Sequence, residues 1–198
     1  MKTSNAQVRD DEDLIHKLRS GNEQAFRWLV ETFKNRIYRT VLNIIQNEDE
    51  AEDVTQEVFI SVHQSINSFR ADSTLSTWMY RIAIRKSLDL LRKRKTRQAL
   101  TKWLPSWIQG DDKYPGVDFY HPGIAIENKE QAAILFNAIS RLPERQRIAF
   151  TLIKVEKISY RDAEEVMEQS VKAIESLVSR AKENLQRQLK EYYYERDK

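Results

Sequence analysis

Chain-breaking residues are almost confined to one stretch of this 198-residue sequence, and that distribution limits the fold more than any other feature. Three of the four glycines and three of the four prolines fall within Gln98–Glu127, as Pro105, Gly110, Pro115, Gly116, Pro122 and Gly123. On either side, helices can run with hardly an interruption. Apolar residues there recur every three or four positions, which is helical spacing rather than strand spacing. The expected fold is all-α, with two small helical domains (residues 10–97 and 128–190) joined by a linker over 98–127. A linker of that length is either disordered or functional. Its Trp103, Trp107, Phe119 and Tyr120 suit docking on a domain or a partner.

The first block divides into four helical segments. Asp10–Ser20 carries Asp11, Glu12 and Asp13 at the positive end of a short helix, and Gly21 stands where that helix stops. Asn22–Gln46 has an apolar stripe from Ala25 to Ile45 that reads as core. The next helix, about Asp49–Asn67, opens with Glu48, Asp49, Glu50, Glu52, Asp53 and Glu57 and no base among them. A helix dipole accounts for one or two acids in a first turn, whereas like charges four apart repel. This face therefore suits a basic partner. Phe69–Arg97 reverses the sign, with eight Lys/Arg and one acid (Asp89) from Arg81 to Arg97. Asp72-Ser73-Thr74 can cap its start, and Leu75, Trp78, Met79, Ile82 and Ala83 mark an apolar face. A basic helix with aromatics at its entrance suits a polyanion with stackable bases, but also an ordinary solvated face in a bundle.

In the second block, Asn128–Ser140 is helical, and Leu142-Pro143-Glu144 opens another helix with proline in its first turn. Ser159-Tyr160-Arg161-Asp162 resembles a capping box before a short helix over Tyr160–Met167. Ser170 caps a long final helix, and the turn Glu168–Ser170 joins the two as in a helix-turn-helix. The exposed face of the last helix offers Lys172, Ala173, Glu175, Ser176, Ser179, Arg180 and Lys182, short polar and basic side chains suited to a major groove.

The absence of cysteine excludes disulfides, thiolate metal sites and a Cys nucleophile. His16, His63 and His121 are too scattered for a metal set, so no metal and no cofactor is expected. No nucleophile–base pair or Gly-rich phosphate loop is visible, so no catalytic residue is assigned and the chain is not expected to be an enzyme. The start, MKTSNAQVRDDED, lacks an apolar signal core, and a cytoplasmic location is expected.

Four stretches in order resemble the extracytoplasmic-function group of bacterial sigma factors, the promoter-specificity subunits of RNA polymerase. They are Glu50–Phe59, Phe69–Arg94 (closest at Ser76–Ala83), Leu142–Arg147 and Ser159–Leu189. The resemblance implies that the acidic helix docks on the clamp helices of the polymerase β′ subunit, with Asp53, Gln56 and Glu57 making polar contacts and Val54 and Phe59 adding apolar area. It assigns the −10 element to Arg70, Ser73, Thr77, Trp78, Arg81, Arg85, Lys86 and Arg92, with a flipped base received near Arg70–Thr74. It assigns the −35 element to Ser170, Lys172, Ala173, Glu175, Ser176, Ser179 and Arg180. The implied partners are core RNA polymerase, promoter DNA and an anti-sigma protein that could hold the chain at a membrane, with no small-molecule substrate.

Three positions depart from the family pattern. Arg85 stands where Asn is common, Ala163-Glu164 where Ile-Ala is usual, and Glu168-Gln169 occupy a turn that often holds glycine. Glu164 must then tilt outward or widen the helix crossing, because burying a lone carboxylate is costly. Two rival readings leave more of the sequence unexplained. A stand-alone helix-turn-helix regulator does not use the acidic helix, and a helical adaptor does not use the basic one.

Overall fold

The computed structural model describes residues 12–101 and 129–196, and among them there are helices and no strand. The linker aromatics Trp103, Trp107, Phe119 and Tyr120 lie outside the described residues.

Each junction follows from a local side chain. Helix α1 (12–19) ends at Gly21, whose φ of 75° is the left-handed conformation that glycine adopts without a Cβ penalty. The N–H groups of Gly21 and Asn22 close back on Leu18 and Lys17 in a Schellman arrangement. Asn22 then caps α2 (Glu23–Ile45) by accepting from Ala25 N at 2.9 Å, and Asn47 caps α3 (Glu48–Ser65) through Glu50 N at 2.9 Å. A 3-10 turn, Ile66–Ser68, leads into the loop before α4 (Leu75–Thr101). Of the three candidate caps there, Thr74 takes the role, its Oγ1 accepting from Thr77 N at 3.1 Å. Helix α4 continues through Thr101, so the stretch 98–101, expected to be linker, is helical.

The second block holds α5 (Lys129–Ser140), α6 (Glu144–Phe150), a π-helical turn (Thr151–Val155), α7 (Tyr160–Met167) and α8 (Val171–Arg196). Pro143 is the N-cap of α6 rather than a residue of its first turn, with extended ψ of 139°. In the π turn, Glu156 N reaches back five residues to Thr151 O at 2.9 Å.

The main core lies among α2, α3 and α4, with Leu29, Ile37, Val41, Val58 and Met79 fully or almost fully buried. It does not stop at the domain boundary. Phe136, Ile148, Leu152 and Val166 of the second block belong to the same cluster. Burying side chains of this kind contributes at most about 1.5–3 kcal/mol each. The second block also has its own clusters, one joining Ile139 and Leu142 to Ala181 and Leu185, the other joining Ala149 and Ala163 to Ile174 and Val178.

Candidate nucleic-acid interface

Helix α3 packs Ala51, Val54, Thr55, Val58, Phe59 and Val62 inward. Its outward strip is Asp53, Gln56, Glu57 and Ile60, which follow helical spacing and are all exposed. Val54 and Phe59, expected to add apolar area to a contact surface, are instead core residues at 5% and 7% exposure. They fall on the face turned toward α2 and α4. The apolar contribution to the outer strip comes from Ile60, 55% exposed, which the sequence reading did not single out. Seven residues from Asp53, it could have been found by extending the exposed spacing two turns.

Two of the acids are tied to α4. Glu57 pairs with Lys86 of α4 at 3.1 Å, and Glu50 accepts from Arg94 Nε at 3.2 Å. Arg94 also donates to Ile45 O at the end of α2, so one guanidinium ties three helices together. Part of the opposite charge on α3 and α4 is thus neutralised within the molecule, while Asp49, Glu52 and Asp53 remain on the exposed side. Burial, and then the charges of Glu48, Glu52 and Asp49, raise the pKa of Tyr38 next to this field.

Before α4, Arg70 is exposed and Ser73 half-buried, and Trp78 stacks at a tilt on the buried Phe69, ring centres 5.0 Å apart. Thr77 is 2% exposed. Its hydroxyl donates to Asp162 Oδ1 of α7 at 3.3 Å. One and two turns on, Arg81 Nε donates to Glu165 O at 3.1 Å, and Arg85 Nη2 to Glu168 Oε1 at 2.5 Å. Arg92 pairs within its own helix with Asp89 at 3.2 Å. Of the residues expected at a −10 element, Thr77, Arg81 and Arg85 therefore face the second domain, Lys86 faces α3, and Arg70, Ser73, Trp78 and Arg92 make neither contact among the interactions described.

Beneath this row lies a group the sequence reading missed. Glu156 follows the π turn with its side chain 1% exposed. It accepts from Tyr80 Oη at 2.9 Å and lies 3.5 Å from Arg36 Nε and 3.8 Å from Arg39 Nε. Burial pushes the Tyr80 phenol well above the usual tyrosine range, and the neighbouring Glu156 carboxylate pushes it further. No periodicity marks Glu156, which sits between Lys154 and Lys157 in a polar-looking run.

In the helix-turn-helix, Ser159 Oγ accepts from Asp162 N at 3.1 Å and starts α7. Ala163 is fully buried and Glu164 points to solvent, so Ala163 allows the close approach and no carboxylate is buried at the crossing. Glu168, in the turn, adopts a left-handed φ of 54°. Ser170 Oγ accepts from Ala173 N at 3.4 Å at the start of α8. Ile174, Val178, Ala181 and Leu185 face inward. Ser170, Lys172, Glu175, Ser179 and Arg180 are exposed and Ala173 and Ser176 half-buried, so the expected −35 residues share one open face.

Comparison with known families decides what these faces belong to. Residues 29–97 match Sigma-70 region 2, and residues 132–185 match Sigma-70 region 4. This chain belongs to the sigma-70 family. It is a sigma factor of the extracytoplasmic-function type, a promoter-directing transcription factor. It is 31% identical to the RNA polymerase sigma-H factor of Pseudomonas aeruginosa over 182 residues, covering 90% of this chain and 93% of that protein. It is 30% identical to the ECF RNA polymerase sigma-E factor of Haemophilus influenzae over 180 residues, covering 90% of this chain and 95% of the relative. The fold of the sigma factor is shared with CnrH, solved in complex with the cytosolic domain of CnrY (TM-score 0.66, 22% identity, 91% of this chain and 97% of the other). It is shared too with the sigma factor RpoE of Bartonella quintana, solved with the anti-sigma factor NepR (TM-score 0.65, 23% identity, 83% and 96%). No helix of this sigma factor among the described residues is long and apolar enough to cross a membrane.

Proposed function

We propose that this sigma factor works through three surfaces carried on two units, residues 10–97 and 128–190. The outer strip of α3, with Asp53, Gln56, Glu57 and Ile60, docks on the clamp helices of the β′ subunit of core RNA polymerase. The loop before α4 and the polar face of α4 engage the opened −10 element through Arg70, Ser73, Trp78, Arg81, Arg85, Lys86 and Arg92. The open face of α8, from Ser170 to Arg180, reads the −35 duplex. The protein performs no bond chemistry of its own and needs no cofactor, since bond formation belongs to the polymerase. It acts in the cytoplasm. An anti-sigma protein is a further partner, and the complex of the similar sigma factor RpoE with the anti-sigma factor NepR supports this.

One observation carries the reading: region 2 and region 4 matches coincide with an exposed acidic strip and an exposed recognition-helix face on one chain. Adding the protein to core polymerase and sequencing the transcripts tests the role and yields the promoter motif. Asp53→Lys with Ile60→Asp should weaken the polymerase complex at least about ten-fold, equivalent to about 1.4 kcal/mol. Both positions are exposed, so folding stability should change by no more than about 0.5 kcal/mol for each. Unchanged affinity in a titration would refute the docking surface. Sequence-specific duplex binding at physiological salt without polymerase would favour a stand-alone regulator.

A further inference from the structure

We propose that α7 is a built-in mask for the DNA face of α4, holding the free protein in a closed form that must open before separated promoter strands can bind. This rests on the assignment of α4 to the −10 element made above.

The contact has the form of a ladder. Asp162 and Glu165 of α7 and Glu168, the residue that ends it, stand three residues apart and meet Thr77, Arg81 and Arg85, four residues apart on α4. The two helices run side by side in the same sense, because both series ascend together. Arg81 is held twice, by the Glu165 carbonyl at 3.1 Å and by its carboxylate at 3.6 Å. Glu165 thus takes up Arg81 Nε and Nη2, so the acids of α7 compete with a nucleic-acid backbone for the cations of α4. Lys95 and Glu144 add a fourth pair at 3.1 Å farther along α4.

Two features set this contact apart from incidental packing. Behind the ladder, Glu156 is inserted into the first domain and held by Tyr80, Arg36 and Arg39, which fixes the register of the closed form. Only the Glu156 end is buried, Arg36 and Arg39 staying partly exposed, and a half-buried ion pair of this kind is weak evidence for added stability. In addition, Glu168 occupies a left-handed position that glycine would adopt at less cost, and its carboxylate reaches Arg85 from there. Meanwhile Asp53, Gln56 and Ile60 on α3 stay exposed, so the closed form still offers its polymerase surface.

The absence of cysteine permits selective labelling of Gln24→Cys and Gln186→Cys, both at exposed positions, with a donor and an acceptor dye. In that background Glu165→Gln/Glu168→Gln should lower energy transfer between the domains. It should also raise affinity for a mixed-sequence single-stranded oligodeoxynucleotide about ten-fold at fixed salt. Glu31→Gln/Glu164→Gln removes the same charge outside the ladder and should change neither, with circular dichroism confirming equal helix content. Unchanged transfer in the ladder variant, or an equal gain in the control, would overturn the mask while leaving the DNA assignment of α4 standing. Reduced transfer with no gain in affinity would overturn both.

Discussion

At the scale of single residues, Glu156 and Tyr80 form the most consequential pair in the molecule. The Tyr80 hydroxyl is the one hydrogen-bond donor described for the buried Glu156 carboxylate, and Arg39 Nε, 3.8 Å away, is beyond hydrogen-bond reach. Tyr80→Phe should therefore cost about 1–3 kcal/mol in chemical denaturation, the usual penalty for leaving a buried acceptor short of a partner. The pH dependence has a defined sign. The folded-state pKa of Tyr80 is raised, so its contribution is complete below the unfolded value of about 10 and is lost as pH rises through the folded value. Denaturation midpoints measured across the alkaline range should fall, and Tyr80→Phe should flatten that fall. Arg147 shows the converse effect, its burial lowering the guanidinium pKa against the opposing charge of Glu144.

At the scale of elements, the turn between α7 and α8 trades conformational ease for a charge. Relieving a left-handed non-glycine residue recovers about 1–2 kcal/mol, less about 0.5–1 kcal/mol for the backbone entropy of glycine. The Glu168–Arg85 pair that would be lost is exposed on both sides, at 67% and 62%, and such pairs contribute about 0–1 kcal/mol. Glu168→Gly should thus change stability by no more than about 1 kcal/mol in either direction by thermal melting, while loosening the contact with α4. Most helices were legible from their caps and spacing: Thr74, Ser159 and Ser170 each accept from the backbone N–H three residues on. The end of α4 was not, because the run after Arg97 has no breaker before Pro105 and the helix continues through Thr101. Which acids of α3 face α4 was hidden as well. Glu50 and Glu57 differ from Asp53 only in facing a neighbour that periodicity does not identify.

At the scale of the whole molecule, the two blocks and their family were readable because region 2 and region 4 each carry local patterns. The contact between them was not. Phe136, Ile148, Leu152 and Val166 look in sequence like core of their own domain, and only the assembled chain places them against α2 and α4. Polymerase binding that engages both domains at once should pull this contact apart. Energy transfer between the labelled positions on α2 and α8 should therefore fall on adding core polymerase, and a constant signal would mean that the closed form is the working one.

The face of α8 from Ser170 to Arg180 stays uncovered while α4 is covered. The duplex-reading face therefore needs no unmasking, whereas the strand-binding face does. Meeting the upstream double helix and holding the parted strands then become separate events, and the second waits until polymerase has drawn the two domains apart.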